Sequence, residues 1–286
     1  MAQLNRRQML KGSVAGSFAL GAAGLFGTAH AAGAVKFPKK WDETVDVIVI
    51  GSGFAGMAAA IEAKNAGANV IVLEKMPTYG GNSAINGGIL TATGCPQQKK
   101  HGIKDSPELL AHDMLVAGLY MNQPEKVKLV ASHALSNYEW TVNYLGVEYN
   151  PDAIGQEGGH SVPRYVFTKN GSGSGITSKE KQKLDELGVK IRTRTYVKHI
   201  FRNDDGRVVG IEVREGYRFP NENSGRTKFI AAKKGVVLCY GGFSCDVPYR
   251  TMQNPMLTAK FDSTNQPGAT AELWRETSRI GCAQVQ

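Results

Sequence analysis

The chain has 286 residues, with 34 Lys and Arg against 25 Asp and Glu, and four cysteines. Its formal charge of +9 is scattered through the sequence and not gathered into basic blocks, which argues against nucleic-acid binding. An anionic partner, an anionic substrate and an ordinary solvated surface all remain open as readings of that charge. Cys95, Cys239, Cys245 and Cys282 form no C-x-x-C and no C-x-x-C-H, so an attached c-type haem and the usual zinc spacings are excluded, no metal site is expected, and inert buried thiols are the simplest reading.

Residues 1–31 read as an export signal. Arg6-Arg7 is a twin-arginine pair, followed by a weakly apolar stretch from Gly12 to Thr28 that contains five glycines. That stretch is too short and too broken for the roughly 20 residues of a membrane span, so no transmembrane segment is expected. Ala29-His30-Ala31 is a small-residue cleavage site that would start the mature chain at Ala32. Removing Arg6, Arg7 and Lys11 leaves a charge of +9 − 3 = +6. The implied destination is the bacterial periplasm, by a route that carries proteins already folded around a cofactor. Residues 32–44 read as a linker, and residues 45–286 as the functional domain.

The apolar run Val45–Ile50 predicts a strand, Gly51-Ser52-Gly53-Phe54-Ala55-Gly56 a tight turn, Met57–Ala63 a helix, and Val70–Leu73 a second strand ending at Glu74. In such a crossover the first glycine makes the turn, the second lets backbone approach a pyrophosphate, and the third lets helix and strand pack closely. The helix N-terminus offers N–H groups to phosphate, and the carboxylate stands where an adenosine ribose is held. The pattern therefore predicts an adenine dinucleotide.

Beyond Lys75, two glycine pairs frame Gly80-Gly81-Asn82-Ser83 and Asn86-Gly87-Gly88. Glycine costs about 0.5–1 kcal/mol relative to alanine inside a helix or strand, so this segment is expected to be irregular backbone that another group approaches. Ser106-Pro107-Glu108 opens a helix. A further helix over 123–145 is expected to pack through Val127, Val130, Ala131, Ala134, Leu135, Tyr138 and Val142. From Tyr149 to Ile176 the pattern dissolves into a long glycine-rich loop of the kind that binds ligands. Within it, His160 and Arg164 are candidates to touch a carboxylate substrate or the cofactor, or else a loop-fixing His and a solvated Arg. Helix returns over 178–187, then strands over 190–193, 195–202 and 207–215, the last two joined by the hairpin turn Asn203-Asp204-Asp205-Gly206. Gly235–Cys239 reads as a buried strand running into Tyr240-Gly241-Gly242-Phe243, which suggests a ligand at its carboxyl end. The expected fold is α/β: a Rossmann-like dinucleotide domain with a parallel central sheet and an added β-hairpin or meander.

Together with Ser263-Thr264-Asn265-Gln266-Pro267-Gly268-Ala269-Thr270, these segments resemble the flavoprotein part of periplasmic fumarate reductases of the flavocytochrome c type. The wider group includes urocanate and methacrylate reductases, the succinate dehydrogenase flavoprotein, L-aspartate oxidase and ketosteroid dehydrogenases. The resemblance runs from Val45 onward and implies FAD in place of NAD. It assigns Gly51, Gly53, Phe54, Ala55 and Gly56 to the pyrophosphate, and Glu74 with Lys75 to the adenosine end. Gly80, Gly81, Asn82, Ser83, Asn86, Gly87 and Gly88 fall along the phosphate-to-flavin segment. Val197 would meet adenine through its backbone, and Gly241 and Gly242 would border the cofactor. Members with covalent flavin carry a histidine near Gly81 and Asn82; none stands here, so the FAD is expected to be non-covalent. Where the family reads Gly-Ala-Thr-Gly-Asp-Gly, this chain reads Gly268-Ala269-Thr270-Ala271-Glu272-Leu273, so Glu272 would replace the flavin-contacting aspartate.

The implied activity is reduction of the C=C bond of a small unsaturated carboxylic acid, with electrons from a separate periplasmic multihaem cytochrome c. No catalytic residue is assigned. The family's proton-donating arginine and carboxylate-clamping groups belong to its later segment, and its capping domain is absent from these residues, so the chain is expected to be the FAD-binding portion of a longer or partnered flavoprotein. The alternatives are another FAD-dependent reductase or dehydrogenase of the group, acting on urocanate, methacrylate or a ketosteroid, and a non-catalytic FAD-binding remnant.

Overall fold

The computed structural model describes residues 35–284, so the twin-arginine pair and the cleavage site lie outside the described residues. One compact unit begins at Pro38. Its strands are β1 (Glu43–Ile50), β2 (Val70–Leu73), β3 (Ile89–Thr91), β4 (Tyr165–Phe167), β5 (Ile191–Arg192), β6 (Thr195–Arg202), β7 (Val208–Glu215) and β8 (Arg226–Leu238). Its helices are α1 (Phe54–Asn65), α2 (Gly81–Ile85), α3 (Pro96–Lys100), α4 (Pro107–Ala117), α5 (Pro124–Asn143), α6 (Ser174–Glu186), α7 (Val247–Gln253) and α8 (Glu272–Arg279).

Strand β1 is apolar on both faces because it is central. Val49 faces a core built with Met57, Ala60 and Ile61 of α1 and Leu184 of α6. Its neighbours Ile48 and Ile50 face a second core with Leu73, Val197, Ile211 and Ile230, as the two-residue alternation of a strand requires. The sheet order is β5-β2-β1-β8-β7-β6. The first four strands are parallel, and β8, β7 and β6 form an antiparallel meander. The α/β class, the parallel centre and the added meander are all as the sequence predicts. In register, Ile50 pairs with Leu73 on one side and Leu238 on the other, so the loops leaving β1, β2 and β8 emerge side by side.

Several elements differ from expectation. Strand β8 is much longer than residues 235–239: Arg226–Ala231 pairs with β7, and Ile230–Leu238 with β1. Arg226 and Lys228 of its first half hide a strand that is only partly buried. Past Ala231, no described strand pairs with β8 on its β7 side, and Val237 and Leu238 are 37% and 40% exposed. Residues Gly81–Ile85, expected to be irregular, form the one-turn helix α2, because Gly80 at φ 95° supplies the left-handed entry to it. Residues 149–176 are not one open loop: β4 pairs with β3, and α6 starts at Ser174. In α5, Val127, Ala131, Ala134 and Tyr138 are buried, but Val130 is 56% exposed and lies off the packing stripe. The expected linker ends early, since β1 starts at Glu43 and Trp41 sets its ring edge-on to Phe201 at 5.7 Å.

Candidate functional site: a cleft at the carboxyl ends of three parallel strands

Strand β1 runs into Gly51 at φ 102°, where an added Cβ would stand 2.2 Å from the Cys239 carbonyl oxygen. Only glycine fits where the turns after β1 and β8 touch. Gly56 packs α1 onto the same turn, for a Cβ there would lie 2.0 Å from the Gly51 oxygen. Gly53 is the N-cap of α1 and brings no side chain to cap it. Of the first helical N–H groups, that of Phe54 donates to Ser83 Oγ at 3.1 Å. Gly51 and Gly56 do the turn-making and packing tasks the sequence predicts, and Gly53 stands at the start of a 12-residue helix whose N-terminal end borders the cleft.

Glu74 is 9% exposed at the end of β2. Its Oε2 accepts from Ser52 Oγ at 2.6 Å and from the Ser52 N–H at 3.3 Å, and its Oε1 accepts from the Met76 N–H at 2.9 Å. Ser52, fully buried, also accepts the Gly80 N–H through Oγ at 3.1 Å. One serine thus joins the turn after β1, the carboxylate after β2 and the second glycine loop. It fills an unconstrained position between glycines, so no motif singles it out. Only its exchange of hydrogen bonds with an acid 22 residues away marks it.

The second loop is stitched to the Ser263–Thr270 run. Asn82 Oδ1 accepts the Gln266 N–H at 2.6 Å, and Asn82 Nδ2 donates to Asn265 Oδ1 at 2.5 Å. The cleft between them has an empty volume of about 870 Å³ counted to its open mouth. Of the predicted residues, Gly51, Gly53, Glu74, Lys75, Gly80, Gly81, Asn82, Ser83, Gly241, Gly242 and Glu272 line it. At Gly81, Gly241 and Gly242 an added Cβ would meet nothing within 4 Å, so these glycines border open space.

The other predicted residues stand behind the lining. Phe54, Ala55 and Gly56 belong to the first turn of α1. Asn86 braces backbone instead, taking the Gly88 N–H on Oδ1 at 2.7 Å and donating from Nδ2 to the Ser83 oxygen at 2.8 Å. Gly87 is exposed, and Gly88 at φ 66° packs against Thr168 and Ser172, where a Cβ would be 2.0 Å from Thr168 Oγ1. The Val197 side chain is buried in the second core, and Tyr196 beside it lines the cleft in its place. Met76, Tyr240, Gln266 and Thr270 also line the cleft and were not anticipated.

His160 and Arg164 do not reach the cleft, and neither reading of Arg164 survives. Its guanidinium is fully buried. It binds Asp105 through Nε at 3.0 Å and Nη2 at 2.8 Å, and Asp113 through Nη1 at 2.5 Å. His160 Nδ1 lies 3.0 Å from the same Nη1. Burial, then the Arg164 charge, lowers the His160 pKa. At Asp113 burial opposes ionisation, but hydrogen bonds from Ser161 and Arg164 outweigh it and hold the carboxyl below its ordinary range. The group is a buried ion-pair knot. In the cleft wall, burial raises the Cys239 pKa, which leaves a poor nucleophile. Among the described residues no cluster of His, Cys, Asp and Glu could hold a metal ion, and no helix is long and apolar enough to cross a membrane.

The N-terminus of α1, the glycines that border open space and the buried carboxylate at the end of β2 fit a dinucleotide of extended shape. Residues 46–286 match the family of FAD-binding domains. The chain belongs to that family, and FAD is its cofactor. It is 41% identical over 284 residues to the acrylate reductase flavoprotein subunit of Shewanella woodyi, covering 99% of this chain and 55% of that subunit. It is 34% identical over 245 residues to the urocanate reductase of Eggerthella lenta, covering 85% of this chain and 39% of that enzyme. The open conformation of a flavocytochrome c3 fumarate reductase superposes with a TM-score of 0.77 at 31% identity, over 85% of this chain and 41% of that one. The chain spans about half or less of the length of the curated relatives it matches.

Proposed function

We propose that this chain is the FAD-binding portion of a periplasmic reductase that saturates the C=C bond of a small unsaturated carboxylic acid, with electrons from a separate cytochrome c. The supporting observation is the cleft itself, glycine-walled at the carboxyl ends of β1, β2 and β8, in a chain whose relatives reduce acrylate and urocanate. Bound FAD supplies the hydride for such a reduction. The residues present would hold it: the N–H groups of α1 would take the diphosphate, Glu74 would accept a ribose hydroxyl on the site its three internal bonds leave over, and Gly81, Gly241 and Gly242 would keep the path clear of side chains. No histidine occurs in the 80–88 loop, which supports non-covalent attachment. Among the described residues the charged groups lining the cleft are Glu74, Lys75 and Glu272, with no arginine or histidine to clamp a substrate carboxylate, and Arg164 is committed to Asp105 and Asp113. The polypeptide that covers the cleft in the whole flavoprotein supplies those groups.

Export through the twin-arginine signal of residues 1–31, with residues 32–44 leading into the FAD-binding domain, belongs to the same proposal. Protein isolated from periplasmic and cytoplasmic fractions of its source, assayed with reduced methyl viologen and acrylate, urocanate or fumarate, tests it. Viologen oxidation with formation of the saturated acid, concentrated in the periplasmic fraction, is expected. Flavin-replete protein that oxidises no viologen with any of the three acids would contradict it.

A further inference from the structure

The lining of the cleft holds two carboxylates, Glu74 and Glu272, and among the described residues a single cation, Lys75. A dinucleotide diphosphate is an anion, and the charged side chains lining the cleft sum to −1 with Lys75 in place and to −2 without it, so Lys75 is what limits their repulsion of the ligand. Several contacts keep it there. The peptide groups on either side are pinned to the start of β6, with the Thr195 N–H donating to the Glu74 oxygen at 2.9 Å and the Arg194 N–H to the Met76 oxygen at 3.1 Å. Gly268 lies against the stem, since a Cβ there would stand 3.4 Å from Lys75 Cε and 2.7 Å from Met76 Sδ. The ammonium donates to Thr270 Oγ1 at 2.5 Å and to Glu272 Oε2 at 3.1 Å, and Thr270 Oγ1 donates to the same Oε2 at 2.5 Å.

Glu272 therefore already receives two donors from the chain, and its longer arm is what carries the carboxylate from the start of α8 to Lys75. Resting on the FAD reading, we propose that Glu272 is a positioning residue that acts through Lys75, and that Lys75 is the group that sets cofactor affinity by offsetting the charge of the diphosphate and of Glu74. The expected role of Glu272 as a direct cofactor ligand is replaced by a latch, Lys75–Thr270–Glu272, that joins the end of β2 to the start of α8. The two roles differ in how the residues couple. A direct ligand loses its contribution whatever stands at position 75. A positioning carboxylate helps only while its cation is present, and becomes an unpaired negative charge beside an anion once the cation is gone.

The experiment is an FAD titration of flavin-free full-length protein, followed by flavin fluorescence at low and high salt, for wild type, Lys75→Met, Lys75→Arg, Glu272→Gln and the Lys75→Met/Glu272→Gln pair. Thermal unfolding of each protein reports folding, and Lys75→Gln repeats the charge loss if Lys75→Met unfolds. The latch predicts that Lys75→Met weakens binding about tenfold or more and removes most of its salt dependence, while Lys75→Arg stays within about threefold. It predicts about a threefold loss for Glu272→Gln alone, and tighter binding for the pair than for Lys75→Met by itself. Losses that add in the pair, or a Glu272→Gln loss as large as that of Lys75→Met, would overturn the assignment and make Glu272 a direct ligand. Wild-type protein that takes up no FAD would overturn the cofactor reading itself; uptake that ignores Lys75→Met overturns this assignment alone.

Discussion

Residues 51–56 and residues 158–175 are both rich in glycine, yet the first segment borders the cleft and the second is folded around a buried cation. Glycine marks close approach of backbone in both places. What approaches differs with position in the sheet. Gly51 and Gly56 meet each other and the turn after β8 at the carboxyl ends of parallel strands, where the crossover leaves ligand space beside them. Gly173 and Gly175 instead pack against Ser83 and Thr168 of the chain itself, and the segment is held by Arg164 between Asp105 and Asp113. Glycine density signals proximity, and only the sheet topology says whether the neighbour is protein or ligand.

The sharpest way to break this comparison is Arg164→Met. It strands two buried carboxylates and is expected to cost about 3–5 kcal/mol in denaturant unfolding, with FAD affinity of the folded fraction unchanged. A large affinity loss in that fraction would place the knot in the functional site after all. Gly56→Ala should do the reverse. Its Cβ collides with the Gly51 carbonyl, so about 3 kcal/mol of stability goes together with at least tenfold in FAD affinity, by urea melt and titration. Ser52→Ala removes the Oγ donor to Glu74 and leaves the Gly80 N–H with the Ser52 carbonyl oxygen alone, for about 1–2 kcal/mol and a weaker, more mobile second loop in hydrogen exchange.

The smallest effect concerns Glu180 of α6, 2% exposed, whose Oε2 has no hydrogen-bond partner. Burial pushes its pKa from 4.5 up to about 9. Between those values the folded chain keeps a proton that the unfolded chain releases, so its contribution to stability is full below pH 4.5 and falls away as pH rises through about 9. Glu180→Gln should change stability at pH 4.5 by less than about 1 kcal/mol and flatten the decline between pH 4.5 and 9. A variant as pH-sensitive as wild type in melts from pH 6 to 9 would show the carboxyl to be ionised.

The crossover was legible because its apolar runs, glycines and acid sit at fixed spacing, and each has one physical task. So were the hairpin at Asn203–Gly206 and the serine cap of α4, where Ser106 Oγ accepts the Leu109 N–H at 3.2 Å. Ser52 and Tyr196 were not legible, since their roles come from strands brought together across long separations. The first half of β8 was hidden because a meander strand with one solvated face can carry Lys and Arg. Arg164 was unreadable for a related reason: its partners Asp105 and Asp113 lie 59 and 51 residues away, and a buried cation leaves no periodic trace. Alternation along β6 sends the Tyr196 side chain to the cleft and that of Val197 to the core, and the backbone contact expected of Val197 does not depend on its side chain.

At the centre of all this is the cleft after β1, β2 and β8, which we propose holds FAD without a covalent bond. Titrating flavin-free protein with FAD, then denaturing the complex and separating chain from flavin, tests this most directly. One FAD per chain, with a visible band in the complex and all flavin released on denaturation, is the predicted result. No uptake, or flavin that stays with the denatured chain, would contradict it.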